Sequence, residues 1–299
     1  MNHARYWILT ALIVLITLAC SVQVDTGLQK PSPTTPPPVI PPAEKPTEPP
    51  QAESPTEPPP PPPPPPTPDN LTHISFEGAS FSFDKSLAGS AWAEKLPATP
   101  PSEDMPSWEI SPETLHFVLE NYLLADTFHK PQLYIYPVSE YASMDANAGN
   151  KISSLQSILI NKPQLTEDIP FLPMWNAAQM MQAQIKYFDF KNGSGVRFLS
   201  QYGQAAAPIN NNSLFYTFQG LTKDNRFYVS VILPVSHPML PATYTDLPPG
   251  QDYETFANNF SNYIADIEAQ LNAQPPESFK PNLQLLDDLA QSILIEWNR

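Results

Sequence analysis

The sequence predicts an α+β domain built on a mainly antiparallel sheet, preceded by a disordered proline-rich linker. Four strand-like runs joined by brief turns fill the stretch from Gln182 to Val235. Two stretches with helical spacing of apolar residues follow them, within 253–271 and 283–297. Ahead of everything, more than half of the forty prolines fall between Pro31 and Pro68, where almost nothing apolar is available to bury. That leaves one folded region of about 230 residues beginning at Asp69, large enough to hold its own core.

The chain opens with Met1 to Arg5, a short stretch ending in a positive charge, then the uncharged apolar run Tyr6 to Ala19. A membrane-spanning helix needs about 20 apolar residues, so the run reads instead as a secretory signal. It ends at Cys20, the only cysteine in the chain, which therefore has no internal disulfide partner. The residues Thr17, Leu18, Ala19 and Cys20 resemble the lipobox of bacterial lipoproteins, with small Ala19 at the cut site. The family usually carries Leu and a small residue where Thr17 and Leu18 stand. The resemblance implies cleavage before Cys20 and lipidation of its thiol, and two or more acyl chains would anchor the protein stably at about 0.8 kcal/mol per buried methylene.

These signals divide the chain into a signal peptide at 1–19, a lipidated cysteine with its stalk at 20–68, and a globular domain at 69–299. The stalk ends in the unbroken run Pro58 to Pro66. Such a chain favours polyproline II, which rises about 3.1 Å per residue and gives a reach on the order of 100 Å. It reads as a spacer holding its cargo away from a bilayer.

Within the domain, "ISFEGASFSFD", "TLHFVLENY" and "QLYIYPV" are expected strands, and Ile152, Leu155, Ile158 and Leu159 mark a helix after Gly149. Next comes the meander. "QAQIKYFDF" and "VRFLSQY" flank "KNGSG", whose glycines would permit positive φ in a tight hairpin, and "LFYTFQGLT" and "RFYVSVILPV" flank "KDN". In the last run Phe227, Val229, Val231, Leu233 and Val235 share one face, while Tyr228, Ser230 and Ile232 share the other. Apolar groups on both faces mean a sheet covered on both sides, or an aromatic face that binds something.

The cover is expected from two amphipathic helices. Tyr253, Phe256, Phe260, Tyr263, Ile264, Ile267 and Leu271 form one stripe behind Asp252, a plausible N-cap. Leu283, Leu286, Leu289, Ala290, Ile293 and Trp297 form the other, beyond Pro275, Pro276 and Pro281. In layout alone this order is similar to the PsbP and Mog1 type of sandwich. The chain also resembles uncharacterised bacterial lipoproteins with a proline-rich stalk, through "TLAC", the proline tract and the meander segments; that resemblance implies surface exposure and brings no reaction with it.

A formal charge of −15 with only 15 scattered Lys and Arg argues against nucleic acid, which needs basic clusters to displace counterions. It also argues against adhesion to an anionic membrane through a basic patch, so membrane association rests on the lipid anchor. Five histidines carry no metal-binding spacing; His116 and His129 merely flank "NYLL". Asp145 opens a stretch like a calcium loop, but Gly149, Asn150 and Gln156 stand at the wrong positions, so a helix N-cap is the better reading. Ser194 lies between glycines in a hairpin rather than on a strand-to-helix elbow, and no phosphate-cradling glycine loop occurs. No cofactor is called for.

The remaining candidates belong to a binding surface. Tyr187, Phe198, Tyr202, Tyr216 and Tyr228 fall on neighbouring strands and either pack in the core or form a stacking platform for sugars or peptides. Arg197 follows the hairpin among aromatics, where it would stack or pair with a carboxylate, Asp189 across the hairpin being the expected partner. His237, in "PVSHP", ends a strand and reads as a loop cap or the centre of an unrecognised hydrolytic site. The expectation is a binding or assembly module with an envelope protein or glycan as partner, and an envelope hydrolase is the alternative.

Overall fold

The structure is a computed structural model that describes residues 70–165, 168–245 and 247–298. The expected signal peptide, Cys20 and the stalk lie outside these residues. The described chain is α+β, with ten strands in two antiparallel sheets and five helices. None of its helices is long and apolar enough to cross a membrane.

The first hairpin pairs β1 (Leu71–Phe76) with β2 (Ala79–Asp84). Its turn places Glu77 at φ 50° and Gly78 at φ 80°, and a Cβ on Gly78 would sit 2.6 Å from the Glu296 carbonyl oxygen. Only glycine fits both demands. The chain then enters a sheet of seven strands: β3 (Ser90–Leu96), β4 (Thr114–Glu120), β5 (Gln132–Pro137), β6 (Ala178–Phe190), β7 (Gly193–Gly203), β8 (Phe215–Thr222) and β9 (Phe227–Pro234). Their spatial order is β3, β4, β5, β9, β8, β7, β6, all neighbours antiparallel, so the four-strand meander forms one half of the sheet.

Two helices, α1 (Val138–Met144) and α2 (Ala146–Asn161), cross from β5 to the meander. Asp145 caps α2 by accepting a hydrogen bond from the Ala148 amide at 2.8 Å, as the calcium-loop comparison favoured. Three helices close the chain: α3 (Tyr253–Asn258), α4 (Phe260–Asn272) and α5 (Leu283–Gln291). Asp252 caps α3 through the Thr255 amide at 2.8 Å.

The large sheet is covered on both faces of its meander. One face presents Leu115, Phe117, Leu133, Val229, Val231 and Leu233 to α5 and the small sheet, with Tyr263, Ile264 and Ile267 of α4 packed alongside. On the other face, Phe198, Phe215, Tyr228 and Ile232 lie under Ile152, Leu155 and Leu159 of α2. The alternation along β9 is thus reproduced residue by residue. Towards β3 the second face is more open: Trp92 is 39% exposed and meets His116 edge-on, and His116 stacks on Tyr134.

Three expectations need correction. The stripe from 253 to 271 is two helices interrupted at Asn259, with Tyr253 exposed. The stripe from 283 to 297 stops being helical at Gln291. Leu294 and Ile295 form β10 (Leu294–Ile295) and pair with β2, while Trp297 stacks on Phe227. A backbone edge left open by β2 satisfies those residues better than two more turns of helix would. Last, neither Gly193 nor Gly195 has positive φ. They are glycines because rings cross over them: a Cβ on Gly193 would lie 2.0 Å from Phe190, and one on Gly195 2.3 Å from Phe218.

Candidate functional site

β5 and β8 begin, and β7 and β9 end, at the same end of the large sheet. Two loops meet there. The one between β4 and β5 is held by the Phe128 amide, which donates to the Asn212 carbonyl at 2.8 Å, and by the Asn212 side chain, which donates to the Asp126 carbonyl at 2.8 Å. The segment before β6 is held by the side-chain amides of three glutamines on or next to the strands. Gln179 accepts from the Ile169 amide at 2.9 Å, Gln219 accepts from the Leu172 amide at 3.0 Å, and Gln204 donates to the Asn176 carbonyl at 2.7 Å.

These bonds build an aromatic cluster around Trp175. Its ring stacks on His129 at 4.9 Å and 12°, meets Tyr202 edge-on at 5.0 Å, and contacts Phe171 at 4.6 Å. Phe128 stands against His129 and is 74% exposed. On one side of Trp175 and Tyr202 opens a cavity of about 640 Å³, flanked by Phe128, Lys130, Gln132 and Asn176. On the other side lies one of about 300 Å³, flanked by Trp108, Asn147 and Lys151. Both volumes are in the range of ligand sites.

The polar groups here are largely unspent. Among the described residues, the Tyr202 hydroxyl, the indole nitrogen of Trp175, both His129 ring nitrogens and the side chains of Lys130 and Lys151 have no hydrogen-bond or ion-pair partner. Burial lowers the His129 imidazole to about 4, so it is neutral near pH 7 and both ring nitrogens are available for hydrogen bonding, one as donor and one as acceptor. Burial pushes the Tyr202 phenol far up, with Asp168 adding to the shift, so it keeps its proton to donate. Gln132 joins this cleft to the open half-face, because its Oε1 lies 3.2 Å from His116 Nε2, whose Nδ1 is 3.0 Å from Glu94.

The other candidate residues lie elsewhere. Arg197 is 3% exposed and pairs with Asp287 of α5, its Nε donating to Oδ1 at 3.1 Å and its Nη2 to Oδ2 at 3.3 Å. The expected pair with Asp189 does not form, because the register sets Lys186 opposite Arg197 and Ser194 opposite Asp189. Lys186 and Tyr216 complete the network, donating to Asp287 at 2.9 Å and 3.1 Å. Tyr228 is buried beneath α2's face of the sheet and donates to Gln219 at 2.6 Å. Phe198 is buried too.

Tyr187 lies beside a separate cavity of about 540 Å³, with Gln182 and Glu268, and its hydroxyl donates to the Pro163 carbonyl at 3.0 Å. His237 is buried with Nε2 3.1 Å from the Ser278 hydroxyl, while its Nδ1 accepts from the Met239 amide at 3.3 Å. The accepting Nδ1 puts the proton on Nε2, which therefore donates to Ser278. A general base needs the reverse, so the arrangement is that of a loop cap. Ser194 lies within β7 rather than at an elbow. No cluster of three His, Cys, Asp or Glu side chains suited to a metal ion occurs among the described residues.

The structure thus brings only Tyr202, of the singled-out residues, into the aromatic cleft. Sequence reasoning weighed His129 only as a metal ligand and missed Phe128 and Trp175, although "FLPMWN" offered a signal for the latter: large apolar residues beside proline in a segment with no strand or helix period. Comparison of the chain with family models, with curated proteins and with solved structures found no match.

Proposed function

We propose that this protein is a lipid-anchored component of a bacterial envelope whose globular domain binds an envelope constituent in the cleft around Trp175 and Tyr202. The anchor reading rests on the signal-like N-terminus, Cys20 and the proline stalk. The binding reading rests on one observation above all: an aromatic cluster held by glutamine side chains carries polar groups that no described residue engages. None of these atoms is buried out of reach of solvent, so each is free to exchange water for the polar atoms of a ligand. Stacking faces flanked by amides and a hydroxyl suit a sugar or a peptide.

The test has two arms. Cys20→Ala should move the protein from the membrane to the soluble fraction and abolish incorporation of a labelled fatty acid. Full-length protein in detergent should be retained on delipidated envelope material, and Trp175→Ala should lose that retention while keeping its far-UV circular dichroism. Fatty-acid labelling unaffected by Cys20→Ala would sink the anchor, and equal retention of the Trp175 variant would sink the cleft.

A further inference from the structure

Each of the two cavities flanking Trp175 and Tyr202 repeats the same set of groups. The larger holds an exposed aromatic ring, Phe128, a cation, Lys130, and the amides of Gln132 and Asn176. The smaller holds an aromatic ring that is 47% exposed, Trp108, a cation, Lys151, and the amide of Asn147. The wall between them is a few side chains thick, since Trp175, Ala177 and Tyr202 line both.

Charge sharpens the pattern. The chain carries 30 Asp and Glu against 15 Lys and Arg, yet no carboxylate lines either cavity. Asp145, behind the smaller cavity, is buried and already accepts from the Ala148 amide at 2.8 Å and the Ser107 hydroxyl at 2.7 Å, while Asp168 stands near enough to Tyr202 to raise its phenol without lining either cavity. Lys130 and Lys151 have no carboxylate partner among the described residues. A protein this acidic repels anions over most of its surface, so two lysines with no carboxylate partner, in cavities that no carboxylate lines, select where an anion can settle.

We infer that the two cavities are paired subsites for an acidic oligosaccharide, with one hexuronate ring on each side of the Trp175 and Tyr202 wall and a carboxylate near each lysine. This rests on the cleft being the binding site. The C–H faces of a sugar ring, with their partial positive charge, pack on the negative face of an aromatic ring. Amides and the Tyr202 hydroxyl meet ring hydroxyls, and each lysine meets a carboxylate. Duplicated chemistry on two sides of one wall suits a ligand that repeats.

The test uses the full-length protein in detergent, titrated with a uronic-acid tetramer and followed by tryptophan fluorescence and calorimetry. A neutral glucan tetramer, an acidic peptide and a proline decamer are the comparison ligands. The uronate tetramer should bind at least tenfold more tightly than any of the three. Lys130→Gln and Lys151→Gln should each weaken it by roughly fivefold, the effect of losing one partly exposed ion pair, and both effects should shrink in high salt. These lysines are at the surface, so their variants report on binding without threatening the fold; Tyr202→Phe is a second mild probe of the wall.

Equal binding of the neutral glucan, or tighter binding of either peptide, overturns the inference. A loss confined to Lys130→Gln overturns the pairing of subsites. If envelope retention depends on Trp175 but no uronate binds, the ligand class is wrong and the binding site stands; if retention does not depend on Trp175, both fall.

Discussion

Asp287 and Tyr202 sit against opposite faces of the large sheet, and their polar atoms are treated in opposite ways. Asp287 is 1% exposed and accepts from four donors: two on Arg197, one on Lys186 and one on Tyr216. The remaining Arg197 nitrogen, Nη1, donates to the Gln184 carbonyl, which a bulge in β6 turns out of the ladder. Nothing is left for a ligand. At the Trp175 cleft the aromatic scaffold is equally well built, yet its hydroxyl, indole and lysine groups meet no described partner. A polar cluster whose valences are filled from within holds a fold together, whereas one whose valences stay open adds little to stability, and it is there that we propose a ligand binds.

The largest expected effect comes from breaking the filled cluster. Asp287→Ala leaves a buried guanidinium unpaired and should cost about 3 to 5 kcal/mol in chemical denaturation. A loss under about 1 kcal/mol would mean that the network does not join α5 to the sheet. For the same reason Arg197→Ala is expected to damage the fold and is no probe of binding.

Next in size is an acid effect at the open cluster. His129 titrates near 4 when folded against 6.5 for the free side chain, so the unfolded chain binds more protons between those values. Stability is therefore fully present above about pH 6.5 and falls as the pH drops towards 4, by about 3 kcal/mol from this residue. His129→Phe should flatten that part of the stability curve. An unchanged slope would show that the imidazole is not held neutral by its aromatic neighbours.

The smallest effects give the finest contrast. Tyr228→Phe removes a hydroxyl that donates to Gln219 and should cost about 1 kcal/mol. Tyr202→Phe removes one with no described partner and should stay within about 0.5 kcal/mol of the parent. Equal costs for the two would break the distinction between filled and open clusters.

Local chemistry made much of the fold legible. The alternation in β9 assigns its residues to the two faces correctly because side chains on a strand point alternately. Asp252 and Asp145 are recognisable caps because a cap depends on three or four consecutive residues. Two elements escaped this logic: β3, where "SAWAEKL" lacks clean alternation, and α1, too short to show a period.

By itself the sequence determined the α+β class, the meander and the caps, all properties of neighbours along the chain. Tertiary structure alone decided the partner of Arg197, which is 90 residues away in Asp287. It also turned Leu294 and Ile295 into a strand, by offering them the free edge of β2. And it assembled the cleft from the ends of three segments, around Phe128, Trp175 and Tyr202, that no local period connects. Such contacts follow from which surfaces meet after the elements pack, and that information is not carried by any one stretch of chain.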